Sequence, residues 1–106
     1  MNQSLDIKNE VDADGNPAGG YVNGAGIEIA WQEGPLGSGA ERKEPNGAFV
    51  EDVLFAALQR IQYYQDGKFK CRENALAITK IEEALHWLNA RTEDRELRGV
   101  EGTHKA

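Results

Sequence analysis

The pattern of apolar and polar positions changes once along the chain, near residue 45. Before that point, short alternating stretches are separated by turn formers. Leu5 and Ile7, and less cleanly Val11, fall on one side of an extended LDIKNEV segment. In GIEIAWQ, at 26–32, Ile27, Ile29 and Trp31 recur at every second residue, with Glu28, Ala30 and Gln32 between them. Such alternation describes a half-buried strand. Tyr21 and Val22 supply a third short strand, and DADGNPAGG, NGAG and GPLGSG read as turns. Two or three strands of this length make a small antiparallel sheet whose apolar face needs a helix or another chain to cover it.

After GPLGSGAERKEPNG the period lengthens to that of a helix. Pro45 keeps that loop out of a helix, and Asn46 stands where an N-cap is wanted. A first helix is predicted over about 47–65, with Val50, Leu54, Ala57, Ile61 and Tyr64 as its seam. Phe49, Val53, Phe55, Ala56 and Leu58 widen that stripe beyond what one partner helix covers. Asp66-Gly67 ends the helix, with Gly67 suited to a left-handed cap. A second helix runs from about Cys71 to Leu97, roughly 40 Å at 1.5 Å per residue. Asn74, Ile78, Ile81, Leu85, Leu88, Thr92 and Arg95 step by four and three along it, a heptad seam that is apolar only from Ile78 to Leu88. The short DGKFK connection makes the two helices antiparallel. Gly99 ends the second helix, and VEGTHKA is a polar tail. The expected fold is α+β: a small N-terminal antiparallel sheet, then a long antiparallel two-helix hairpin, in an oligomer. Residues 1–106 are read as one domain, with the sheet and its loop at 1–45, the hairpin at 46–98 and the tail at 99–106.

Size and charge narrow the function. With 106 residues there is room for a single modest core, so surplus apolar surface points to self-association. No segment is apolar for the roughly 18–20 residues of a membrane span, and MNQSLDIKNE has no secretory pattern, so a cytoplasmic, membrane-free protein is expected. The single Cys makes no internal disulfide, and no Cys/His spacing suggests a metal site or a cofactor. A net charge of −6 disfavours DNA or RNA as a partner. The charge is uneven: residues 1–66 hold 11 acidic and 4 basic residues, and residues 67–106 hold 7 acidic and 8 basic ones. A small anion is therefore held more easily by the C-terminal part.

Candidate chemistry is sparse. Cys71 lies at a helix start, where a thiol can be acidified, but no nucleophile motif surrounds it. Glu82 and Glu83 are adjacent on a helix and point in different directions, a poor acid/base pair. GPLGSG lacks the Lys-Ser/Thr ending of a phosphate-binding loop. Arg91, Arg95 and Arg98 form a more informative cluster on one side of the second helix. Two readings stand for it. The arginines complement the negative end of the helix dipole, with Asp94 and Glu101 neutralising them; or they hold a diphosphate, one of them stacking on a purine. The aromatic residues such a site needs, Tyr63, Tyr64 and Phe69, sit at the hairpin turn, at the opposite end of the second helix. Two hairpins packed antiparallel would bring the two sets together. Trp87, off the seam, is read as a core or dimer-interface residue, and Thr79 with Lys80 as a solvated pair.

The segment CRENALAITKIEEALHWLNARTEDRELRGVEGTHKA resembles the hairpin of small phage proteins in the family shared by Thoeris anti-defence protein 1 and anti-CBASS protein 2. Upstream, DADGNPAGG, GIEIAWQEGPLG and RKEPNGAFVEDV resemble the sheet and linker of the Thoeris anti-defence 1 branch. The resemblance implies a phage- or prophage-encoded protein acting in the host bacterial cytoplasm. It implies a sponge rather than an enzyme, one that holds intact a cyclic ADP-ribose isomer made by TIR-domain enzymes and so silences Thoeris defence. It implies a homodimer, and in some members a hexamer that is a trimer of dimers, with pockets shared between subunits. Carried over by position, Tyr64 is the aromatic that grips adenine, with Tyr63 as the alternative. Asn74 is a polar contact, Arg91 and Arg95 are the stacking and phosphate contacts, and Arg42 is an addition from the linker loop. Thr79 and Lys80 match a helix segment that some members use as a second site for the cyclic di- and trinucleotides of CBASS. The competing readings are a sponge for those cyclic oligonucleotides, a signal-destroying enzyme, which the lack of a base–nucleophile pair disfavours, and an oligomeric adaptor without a ligand.

Overall fold

The computed structural model describes residues 4–106. The chain divides into two compact units: one runs through Phe49 and takes in Val100–Ala106, and the other is Val50–Gly99.

The first unit is built on three antiparallel strands, β1 (Asp6–Val11), β2 (Pro17–Gly24) and β3 (Ile27–Ala30), in the order β1-β2-β3. Asp12 shapes the first turn: its Oδ1 accepts the backbone N–H groups of Asp14 and Asn16 at 2.9 and 3.0 Å. The register sets Ile7 opposite Val22 and Val22 opposite Ile29, so one apolar row crosses all three strands. Ile27 stands two residues along from Ile29 and shares its face. This is the expected apolar face, yet Ile7 is 58% exposed. The middle strand is longer than Tyr21 and Val22 alone. Residues 17–20, which read as turn, pair with β1 across a register shift between Asn9 and Val11.

Extended chain then replaces the first turn expected of a helix starting at 47. Ala48 donates its N–H to the Ala30 carbonyl at 2.7 Å and accepts the Gln32 N–H at 2.9 Å, a parallel bridge beside Trp31. Asn46 is consequently not an N-cap. Its Oδ1 accepts the Glu33 N–H at 2.9 Å, and its own N–H donates to Gln32 Oε1 at 2.8 Å. Residues 46–48 are thus committed to the edge at 30–33, and the helix starts later. Gly47 is required by this close approach, because a Cβ there would collide with the Trp31 carbonyl.

The polar tail also has a place. Glu101 takes the Arg42 guanidinium in a two-pronged pair at 2.8 and 3.0 Å, and Gly37 donates its N–H to the Gly102 carbonyl at 2.9 Å. Gly102 has φ +77°, and a Cβ there would meet the Gly37 carbonyl. Val100–Ala106 therefore belongs to the same unit as the sheet. Glu101 thus engages Arg42, a long-range partner that the sequence pattern does not indicate.

The second unit is a hairpin of α1 (Val50–Gln65) and α2 (Arg72–Leu97). Of the described residues only Leu58 is a buried hydrophobic, at 5% exposure. On α2 the half-buried positions include 74, 78, 81, 85, 88, 92 and 95, the seam expected from the sequence. On α1 the seam is offset from the expected one. Glu51, Val53, Leu54, Leu58, Ile61, Gln62 and Gln65 are the covered positions, so Leu54 and Ile61 of the expected seam are covered whereas Val50, Ala57 and Tyr64 are exposed. Apolar residues cover so much of α1 that several stripes compete, and the one containing Leu58 faces α2. Gly67 does not adopt the left-handed cap. The helix instead tightens through Gly67 N–H donating to the Tyr64 carbonyl at 3.2 Å. At the far end Gly99, at φ +72°, does terminate α2.

Replacing Gly47 with Ala forces the 46–48 segment off the Trp31 edge. Urea unfolding should show a loss of about 1–3 kcal/mol, with Gly67→Ala, where a Cβ meets only ordinary contacts at 3.7 and 3.8 Å, as the control.

Candidate functional site

The hairpin turn is held by side chains that the helix ends supply. Gln65 accepts the Cys71 N–H at 3.0 Å and donates to the Cys71 carbonyl at 3.1 Å, tying the end of α1 to the start of α2. Cys71 caps α2 through its Sγ, which accepts the Asn74 N–H at 3.4 Å. Asn74 Nδ2 donates to the Phe69 carbonyl at 3.2 Å. Two of the predicted site residues, Tyr64 and Asn74, thus stand on opposite flanks of one braced turn, with Tyr63 and Phe69 beside them.

Tyr64 is 39% exposed, and Tyr63 and Phe69 are more exposed still. The two tyrosine rings lie 5.9 Å apart at 56°. Arg60, which the sequence reading left out, joins them. Its Nε donates to the Tyr64 hydroxyl at 3.0 Å, and its guanidinium carbon lies 4.9 Å from the Tyr64 ring centre and 5.1 Å from that of Tyr63. The spacing of three and four along a helix carried that signal.

Arg91 and Arg95 lie one turn apart on α2, Arg91 exposed and Arg95 half-buried. Their neighbour Arg98 is engaged by Asp94 at 3.0 Å. Seventeen residues separate Asn74 from Arg91, about 25 Å of helix. One hairpin therefore presents the aromatic group and the arginine group at its two ends and does not bring them together. Arg42 lies in the sheet unit, where Glu101 and the Gly37 carbonyl occupy it. Thr79 turns its hydroxyl back to the Ala75 carbonyl at 3.1 Å, and Lys80 lies 3.7 Å from Glu83 on the exposed surface. Trp87 is 65% exposed and is no part of the chain's own core, with His86 edge-on at 5.4 Å.

None of these residues lines the open cleft of about 310 Å³ in the sheet unit, whose walls include Tyr21, Trp31, Glu10, Glu33 and Asn46. Its two carboxylates have the wrong sign for a phosphate. Among the described residues no cluster of His, Cys, Asp and Glu could hold a metal ion, and no helix is long and apolar enough to cross a membrane.

A paired sheet followed by a long hairpin with polar helix ends defines a class of small α+β hairpin proteins. The chain belongs to the Acb2/Tad1 hairpin-domain family, whose family model matches residues 23–93. It is similar to Thoeris anti-defense 1 of Bacillus phage SBSphiJ7, with 60% identity over 60 residues, 57% of this chain and 42% of that relative. The match thus spans less than half the length of the relative.

Gln65→Ala removes both bonds to Cys71. Denaturant unfolding should show a loss of about 1–2 kcal/mol, and the Cys71 amide should lose its protection in hydrogen exchange.

Proposed function

We propose that the protein counters Thoeris defence by binding and holding, without cleaving, a cyclic ADP-ribose isomer made by TIR-domain enzymes. The observation that carries this reading is the placement of complementary half-sites at the two ends of one hairpin. Tyr64 and Asn74 offer a stacking face and an amide at the turn, and Arg91 and Arg95 offer guanidinium groups at the far end of α2. A nucleotide-like ligand with a purine and a diphosphate needs both. Two hairpins packed antiparallel supply them together, twice, as a two-fold dimer requires.

The unburied apolar surface supports this assembly. Phe55, Leu76 and Trp87 are exposed on the helices, and one buried residue is too little core for a free-standing 50-residue hairpin. The relative's name supports the anti-defence role. Sequestration rather than turnover fits the chemistry present. The Cys71 thiol serves as a helix cap, and His86 is fifteen residues, about 22 Å, further along α2. Hexamers built from dimers, and a second site for cyclic oligonucleotides at Thr79 and Lys80, extend the same reading.

Protein mixed with the product of an activated TIR-domain enzyme, then heat-denatured, should return that product intact to the supernatant; a converted product would establish catalysis. In calorimetry, Arg91→Ala and Tyr64→Ala should each weaken binding by about 30-fold or more, while sedimentation shows an unchanged oligomer. Wild-type affinity in both variants would remove these residues from the site.

A further inference from the structure

We infer that Arg60 is a positioning residue for the ligand site, acting through the Tyr64 hydroxyl to hold that ring ready for a stacked base. The inference rests on the sponge reading and adds a residue to it. Arg60 is the single basic residue of α1. Its Nε–H donates to the Tyr64 hydroxyl at 3.0 Å, and its guanidinium carbon lies within about the same reach of two ring centres, 4.9 and 5.1 Å. The contact with Tyr64 therefore has two components, a directed hydrogen bond at the ring's tip and cation–π attraction to the ring itself.

An exposed tyrosine on the last turn of a helix otherwise samples several rotamers. A ligand that stacks on it must then bear the entropy of stopping it. Fixing the hydroxyl to a residue one turn back on the same rigid helix removes that freedom before the ligand arrives. Tyr63, the second ring within reach of the same guanidinium, limits how far Arg60 itself can swing. The arrangement also gives the hydroxyl at position 64 a role: a phenylalanine there would present the same stacking face without the anchor.

A double-mutant cycle tests the inference. Binding of the purified cyclic ADP-ribose product of a TIR-domain enzyme is measured by calorimetry for the wild type, Arg60→Ala, Tyr64→Phe and the double variant. Each single variant should bind about tenfold more weakly, and the double variant should lose less than the two single losses combined. In parallel, the Arg60 Nε–H should exchange slowly by NMR in the ligand-free wild type and quickly in Tyr64→Phe. Additive losses would mean that Arg60 touches the ligand's phosphates directly, and would overturn a positioning role. So would wild-type affinity in Tyr64→Phe, or lowered thermal stability in Arg60→Ala with affinity unchanged. A wild type that binds nothing would remove the sponge reading and this inference with it. Intact binding without coupling would remove this inference alone.

Discussion

The stripe of α1 that contains Leu58 is the covered one, and it determines which apolar side chains of that helix stay on the surface. Leu58 is the one buried hydrophobic among the described residues, and the Gln65 clasp on Cys71 ties the two helices together at the turn. With that stripe covered, Tyr63, Tyr64 and Phe69 are left on the surface. Trp87 and Leu76 are likewise left on the surface. A wider interface would bury these residues and hide the rings. The seam thus leaves apolar surface uncovered and keeps the aromatic turn accessible.

Much of this was legible in the residues. The seam of α2 could be read from its heptad because polar residues separate the apolar ones cleanly between Asn74 and Arg95. The α1 seam could not, because Val50, Val53, Leu54, Phe55, Leu58 and Ile61 wrap most of the helix, so period alone does not choose a stripe. Asn46 has the chemistry of a cap, and the edge beside Gln32 and Glu33 competed for it and won. Residues 17–20 read as turn from composition, yet they pair with β1, because strand pairing overrides the weak local preference of glycine. Arg60 went unnoticed because a lone cation on an apolar helix usually marks a solvated face.

The candidate site was legible as types of residue and not as a place. Sequence spacing shows that Arg91 and Arg95 share a side of the helix and that the tyrosines cluster at the turn. Neither fact says whether they meet, and the hairpin geometry keeps them about 25 Å apart in one chain. Arg42 shows the opposite limit: its charge suits a phosphate, but its partner is 59 residues away at Glu101, a distance no local pattern reveals.

That long-range pair has its own consequence for how the molecule assembles. Its closure spans the entire helical hairpin, so the loop entropy depends on how compact the intervening chain already is. The strand and helix hairpins join elements adjacent in sequence, whereas the bond from Arg42 to Glu101 spans 59 residues and belongs to the class of contact with the largest closure entropy. The segment between Gly37 and Gly102 includes all of α1 and α2, so little of it is free chain once the helices are formed. The place of the tail in the sheet unit is thus a long-range closure, whose cost is set by topology rather than by the strength of the bond itself.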